Sequence, residues 1–111
     1  MTADLDRLLH IFRLTMVSEV RLDQLDLKAR HLAIFLIVYG SEKPQTVRGL
    51  AKALKISKAA VTRGLDRLGE LDLAQRIIDV TDRRSVLVMR TNAGAVMMRR
   101  LSQAIATAAA T

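Results

Sequence analysis

The stretch that decides the fold is residues 46–90, TVRGLAKALKISKAAVTRGLDRLGELDLAQRIIDVTDRRSVLVMR. Apolar residues recur in it at three- and four-residue spacing on both sides of a break at Lys55-Ile56. This spacing predicts two short helices, 46–54 and 57–71. Two helices joined by about three or four residues form a helix-turn-helix.

A loop over 41–45 precedes this pair, and two strand-like runs follow it, near 75–79 and 85–90. The charged tip Thr81-Asp82-Arg83-Arg84 stands between the two runs, so we predict an antiparallel hairpin, the wing. The segment 46–90 therefore predicts a fold that is mainly α with a small β-hairpin, a winged helix-turn-helix.

The rest of the chain predicts three further helices. Apolar residues at helical spacing indicate an amphipathic helix over 4–22 and a last helix over 92–108. The run HLAIFLIVY fits a buried strand or a buried helix by periodicity alone. Lys28-Ala29-Arg30 extends it past the usual strand length, so we predict a helix over 28–40.

Length and composition bound the class of protein. The chain has 111 residues, which suits a single domain over 1–111, and half of them are apolar. It has no cysteine, which excludes a disulfide, a thiolate metal site and a thiol redox switch. The longest apolar run, Leu32–Tyr39, is far shorter than the ~20 residues that span a bilayer. The N-terminus lacks the pattern of a signal peptide, so we expect a cytoplasmic protein with no membrane partner.

The positive charge is concentrated in one part of the chain. Residues 1–42 hold five Lys/Arg and six Asp/Glu, whereas residues 43–100 hold thirteen Lys/Arg and five Asp/Glu. The excess therefore falls on the helix-turn-helix and the hairpin. A basic patch on such a motif indicates double-stranded DNA as the partner, and a solvated basic face is the alternative.

The order of short motifs resembles the MarR family of winged helix-turn-helix regulators over about residues 26–100. The matching positions are Ala51, Val61-Thr62-Arg63, Asp66-Arg67-Leu68, Leu73-Ala74-x-Arg76, Asp79-x-x-Asp82-x-Arg84 and Arg90-Thr91-Asn92-Ala93-Gly94. The resemblance implies a transcriptional regulator that binds DNA as a dimer.

The sequence departs from the family pattern at several positions. Lys55 stands in the turn and Asp72 before the first wing strand, where the family usually has glycine. Gly64 replaces a larger apolar residue in the second helix of the pair, and Thr81 replaces the first wing arginine. The sequence also ends within or just after the fifth helix, so we expect a short form that lacks the usual last helix.

The helix 57–71 is the predicted recognition helix. Val61, Leu65 and Leu68 share one face and are expected in the core. The opposite face carries the candidate DNA contacts Lys58, Ala59, Thr62, Arg63 and Arg67. The N-terminal part of a recognition helix meets base edges, so Lys58, Thr62 and Arg63 are candidates for base contact and Arg67 for phosphate.

Further candidate contacts lie at the starts of the two helices. Thr46 and Ser57 are predicted N-caps, whose side-chain oxygens accept from backbone N–H groups of the first turn. Helix N-termini also meet phosphates well, so both residues are candidate DNA contacts. Arg48, with Lys52 and Lys55, is a weaker candidate for phosphate.

The wing supplies the last group of candidates. Arg83 and Arg84 can reach a minor groove, whose negative potential attracts arginine. The resemblance to MarR-like wings implies that Asp82 pairs with Arg84 and orients it. The alternative for this tip is a solvated turn with an exposed ion pair.

The sequence as a whole predicts a sequence-specific double-stranded DNA-binding transcriptional regulator, working as a homodimer through the helices 4–22 and 92–108. We expect no enzyme activity, cofactor or metal site, because His10 and His31 stand on different helices without a convergent set of ligands. The alternatives are a winged-helix protein-interaction module and a non-specific nucleoid-type DNA binder. The residues do not indicate whether a small-molecule effector binds.

Overall fold

The computed structural model describes residues 2–22 and 26–111, which form five helices and three short strands. In chain order they are α1 Ala3–Leu22, α2 Ala29–Gly40, β1 Gln45–Thr46, α3 Val47–Leu54, α4 Lys58–Glu70, β2 Ala74–Ile78, β3 Val86–Arg90 and α5 Asn92–Ala109. Contacts cluster into two compact units, one formed by α1 with the chain from Met97 onward and one by Leu27–Val96. The assignment of 1–111 to a single domain stays a prediction.

The predicted winged helix-turn-helix is confirmed, with one addition to its sheet. The sequence predicted a two-stranded hairpin and a loop that included Gln45, whereas the sheet has three antiparallel strands in the order β1-β3-β2. In β1, Gln45 faces Val88 and Thr46 faces Leu87. Two residues are too few to show a period of two, so this strand has no signal in the sequence.

The core of the Leu27–Val96 unit is built from α2, α3, α4 and the central strand. Its fully buried large side chains are Ile34, Phe35, Leu50, Val61, Leu68 and Val88. The predicted helix over 28–40 is confirmed as α2, which buries residues 34, 35 and 38 on one face.

Two left-handed residues end α3 and the helix that follows it. Lys55 has φ 55°, and Ile56 N–H donates to the Ala51 carbonyl oxygen at 3.1 Å. Asp72 has φ 58°, and Leu73 N–H donates to the Leu68 oxygen at 2.8 Å. Each is the six-to-one bond of a Schellman turn, whose left-handed residue is usually glycine.

Two glycines allow close approach of neighbouring elements. A Cβ on Gly64 of α4 would lie 2.7 Å from Ile34 Cδ1 and 3.3 Å from His31 Cδ2, so the glycine lets α2 pack tightly against α4. A Cβ on Gly94 of α5 would overlap the Tyr39 hydroxyl. That hydroxyl donates to the Leu73 carbonyl oxygen at 2.7 Å.

The unit formed by α1 and the end of α5 is joined by polar contacts. Arg100 Nη1 lies 2.9 Å from both carboxylate oxygens of Glu19, whose side chain is only 3% exposed. Arg7 donates to the Ala109 carbonyl oxygen at 2.7 Å. Glu19 and Thr15 are the buried residues of α1.

The two apolar stripes predicted for dimerisation differ in exposure. On α5, Met97, Leu101 and Ala108 are buried, and Ile105 is exposed. The predicted stripe on α1 was Leu5, Leu9, Phe12 and Met16, of which the first three are exposed and Met16 is half-buried. Leu8 and Val20 of the same helix are exposed as well. Within the described ranges, no helix is both long and apolar enough to cross a membrane.

Candidate nucleic-acid interface

The helix α4 separates an apolar face from a basic one. Val61, Leu65 and Leu68 are buried, as the sequence predicted. On the opposite side Lys58, Ala59 and Arg63 are exposed, and Thr62 and Arg67 are half-buried. The basic side chains at the start of α4 therefore stand at the surface, where a groove could receive them.

Both predicted N-caps are confirmed. The Gly49 N–H donates to Thr46 Oγ1 at 2.9 Å, and the Ala60 N–H donates to Ser57 Oγ at 3.0 Å. Each cap satisfies one backbone donor and fixes where its helix begins. The first turns of α3 and α4 are thereby held in place, and the free N–H groups there give each helix start a partial positive charge.

Ion pairs hold polar side chains in the second half of α4. Arg67 Nη1 lies 3.1 Å from Glu70 Oε2, one turn on. Asp66 pairs with Arg76 of β2. The charge of Arg67 is therefore partly neutralised by Glu70. Arg67 is for that reason a weaker candidate for a phosphate contact than Lys58 and Arg63 nearer the helix start.

Two aspartates shape the wing tip. Asp79 accepts from the Thr81 hydroxyl at 2.7 Å and from the Thr81 N–H at 3.0 Å, and these bonds lower the pKa of its carboxyl. Asp82 Oδ1 accepts from the Arg84 N–H at 3.1 Å and lies 3.6 Å from Arg84 Nε. Ser85 Oγ donates to Asp82 Oδ2 at 3.4 Å.

The ion pair between Asp82 and Arg84 implied by the resemblance is therefore present, although the arginine side chain is 92% exposed. Asp79 was not among the predicted site residues. Its signal was the Asp-x-Thr spacing, because an aspartate readily accepts from the backbone two residues on and so closes a turn.

The fold brings four of the predicted residues to one cavity of about 130 Å³. Its lining comes from the start of α3, the start of α4 and the wing, and consists of Thr46, Val47, Arg48, Lys58, Arg84, Ser85 and Val86. The remaining predicted residues lie outside this lining; they are Ser57, Ala59, Thr62, Arg63, Arg67, Asp82 and Arg83. No sequence pattern groups residues 46, 48, 58 and 84, because they lie in separate stretches of the chain.

Histidine and acidic side chains do not assemble a metal site in the part of the chain that the structure describes. His31 lies on α2 against Gly64 of the recognition helix, and its buried Nδ1 has no hydrogen-bond partner. Burial, followed by the charges of Lys28, Arg30 and Arg67, lowers the pKa of His31. This environment favours the neutral imidazole as a packing group.

Both the sequence and the fold match known proteins. The sequence model of the MarR family matches residues 25–85, more than half of the chain. The chain is similar to the apo form of wild-type MarR from E. coli, with 27% identity and a TM-score of 0.68 over 95% of this chain and 78% of that one. A search of curated proteins gave no match.

Two further solved structures have the same fold. A transcriptional regulator from Thermotoga maritima has 20% identity and a TM-score of 0.74, over 96% of this chain and 75% of that one. The protein RV1404 from Mycobacterium tuberculosis has 24% identity and a TM-score of 0.75, over 94% and 68%.

A capped helix pair with a basic second helix, followed by an arginine-bearing wing, defines the class of winged helix-turn-helix proteins. Within that class the chain belongs to the MarR family, whose members are transcriptional regulators.

Proposed function

We propose that this protein is a transcriptional regulator that binds double-stranded DNA sequence-specifically and works as a homodimer. Its recognition helix α4 enters the major groove, and its wing enters the adjacent minor groove. The single observation that carries the proposal is the two-sided character of α4, whose apolar face is buried while Lys58 and Arg63 are exposed at its N-terminal half.

The exposed face of α4 has the chemistry for reading bases. Arginine and lysine donate to the O6 and N7 atoms of guanine, and small side chains such as Ala59 contact the thymine methyl group. Arg63 is exposed in the N-terminal half of α4, so its long side chain can reach into a groove. This combination supports base readout.

The wing supports a second contact. Arg83 stands at its tip. Next to it in the chain, the Arg84 Nε atom lies 3.6 Å from Asp82 Oδ1. A narrow minor groove concentrates negative potential and attracts inserted arginine side chains. The wing therefore adds affinity and a preference for groove shape to the base contacts of α4.

The homodimer is supported by the surface of α1. Leu5, Leu8, Leu9, Phe12 and Val20 are all exposed on this one helix. Soluble monomers seldom expose a contiguous apolar patch larger than a few hundred Å², which is roughly the area of one helix face. A second copy would cover this stripe, and two-fold pairing would match two half-sites about one helical turn apart.

The proposal is tested by selecting duplexes from a random pool with the purified protein and titrating the best one by fluorescence anisotropy. Titrations at two salt concentrations, each repeated with a scrambled duplex, separate specific from electrostatic binding. We expect the selected duplex to bind at least a hundredfold more tightly than the scrambled one. Equal affinities with a steep salt dependence would support a non-specific nucleoid-type binder, and no binding would support a protein-interaction module.

A further inference from the structure

The cavity shared by α3, α4 and the wing has the size of a small anion site. Its volume is about 130 Å³, well above what a single water needs. It is bordered by residues at the starts of both helices of the motif. A group the size of a tetrahedral oxyanion fits within it.

Three cationic side chains from three different elements line this cavity. They are Arg48 of α3, Lys58 of α4 and Arg84 of the wing, and all three are exposed. The described lining includes no carboxylate; Asp82 contacts Arg84 but does not border the cavity. Cations that border one cavity repel one another, and an anion bound among them offsets that repulsion; Asp82 offsets it only at Arg84.

Neutral donors complete the lining. The Thr46 hydroxyl accepts from the Gly49 N–H and keeps its own proton for a further acceptor. Ser85 offers a second hydroxyl, which now donates to Asp82 at a long 3.4 Å. Thr46 is also the N-cap of α3, and Lys58 is the first residue of α4, so the positive ends of two helices meet here.

We propose that this cavity is a phosphate site that takes one backbone phosphate of the bound DNA strand. The inference rests on the proposed DNA-binding function and deepens it. Arg48, Lys58 and Arg84 then contact the same phosphate, so the helix-turn-helix and the wing are fixed to one point of the duplex. In this arrangement Lys58 and Arg84 contact the DNA backbone. Arg63 remains for base readout, and Arg83 remains to enter the minor groove.

The test replaces the phosphates of the selected duplex one at a time by neutral methylphosphonates. We expect one position in each half-site at which wild-type affinity falls about tenfold, as for the loss of a charge-assisted contact. Arg48→Ala, Lys58→Ala and Arg84→Ala each weaken binding to the unmodified duplex. On the duplex neutralised at that one position, all three variants bind as the wild type does.

Arg63→Ala is the matched control, because Arg63 lies outside the cavity lining and should keep its full loss on the neutralised duplex. Thermal unfolding checks that the surface variants remain folded. If Arg84→Ala is not folded, Arg84→Gln is used in its place. Three variants that respond to three different phosphates, or to none, overturn the shared site while DNA binding stands. Failure of wild type to bind any duplex overturns the proposed function and this site with it.

Discussion

Lys55 adopts the left-handed conformation in the turn between α3 and α4, with φ 55°. An L-residue with a side chain is strained there, whereas glycine is not. We expect Lys55→Gly to raise the free energy of unfolding by about 0.5–1 kcal/mol, measured by urea denaturation.

Lys52→Gly is the control for this substitution. It removes the same charge from the interior of α3 and should lower the free energy of unfolding by ~1 kcal/mol. If Lys55→Gly destabilises the protein as Lys52→Gly does, the turn does not strain its lysine.

Under the proposed function, Arg63 is the residue of α4 that we expect to contribute most to base readout. Arg63→Ala should weaken binding to the selected duplex by about 1–3 kcal/mol and relax the preference at one base position. Anisotropy titration of the selected duplex and its single-base variants measures both effects. Arg99→Ala, which removes an exposed arginine of α5, should leave them unchanged. An unaltered ratio of specific to scrambled binding in Arg63→Ala would reduce Arg63 to a phosphate contact or a bystander.

Asp82 gives a prediction whose sign distinguishes two roles. Charge counting predicts tighter DNA binding when an acid is removed. Because Asp82 holds the backbone and the guanidinium of Arg84, we expect Asp82→Ala to bind more weakly, with part of the loss that Arg84→Ala shows. Glu42→Ala removes an exposed acid elsewhere and shows the effect of charge alone. Tighter binding in both variants would exclude an orienting role for Asp82.

At the scale of elements, the sequence predicted most of what positions the interface. Helical periodicity located α4 within a residue at each end, because its buried and exposed faces alternate regularly. The caps at Thr46 and Ser57 followed from side-chain chemistry alone. These features are local, so neighbouring residues in the chain suffice to define them.

Features that depend on distant residues were not predicted. The strand β1 exists only because Gln45 and Thr46 meet the central strand, more than forty residues on. The cavity lined by residues 46, 48, 58 and 84 likewise requires three elements to come together. Gly64 could be recognised as unusual, but the closeness of Ile34 that explains it becomes visible only in three dimensions.

The close packing of the start of α5 against Tyr39 of α2 depends on Gly94. The Tyr39 hydroxyl occupies the space that a side chain at position 94 would need, and it also accepts from the Thr91 N–H at 3.1 Å. We expect Gly94→Ala to lower the free energy of unfolding by about 1–3 kcal/mol through overpacking, measured by thermal and urea unfolding.

Gly40→Ala is the matched control for this substitution, since no atom lies within 4 Å of a Cβ built there. It should change stability by less than about 1 kcal/mol. Equal effects of the two alanine substitutions would mean that α5 shifts freely at its start and that the Tyr39 contacts contribute little.

At the scale of the whole molecule, the exposed stripe of α1 is the surface through which we propose that two copies pair. The helix buries polar residues, Thr15 and Glu19, and leaves most of its large apolar residues at the surface. A surface helix of a monomer normally does the opposite. We propose that a second copy covers this exposed apolar face, since two-fold pairing would bring two identical stripes together.

The dimer prediction is tested at Phe12, which is 65% exposed at the middle of this stripe. Phe12→Asp places a charge in the proposed interface, so sedimentation equilibrium at micromolar concentration should show a dimer for the wild type and a monomer for the variant. Ile78→Asp is the control, because Ile78 is 64% exposed but lies on β2. A monomeric wild type would refute the dimer. If the dimer is real, splitting it should weaken binding to a two-half-site duplex far more than to a single half-site, because only the paired protein can occupy both halves at once.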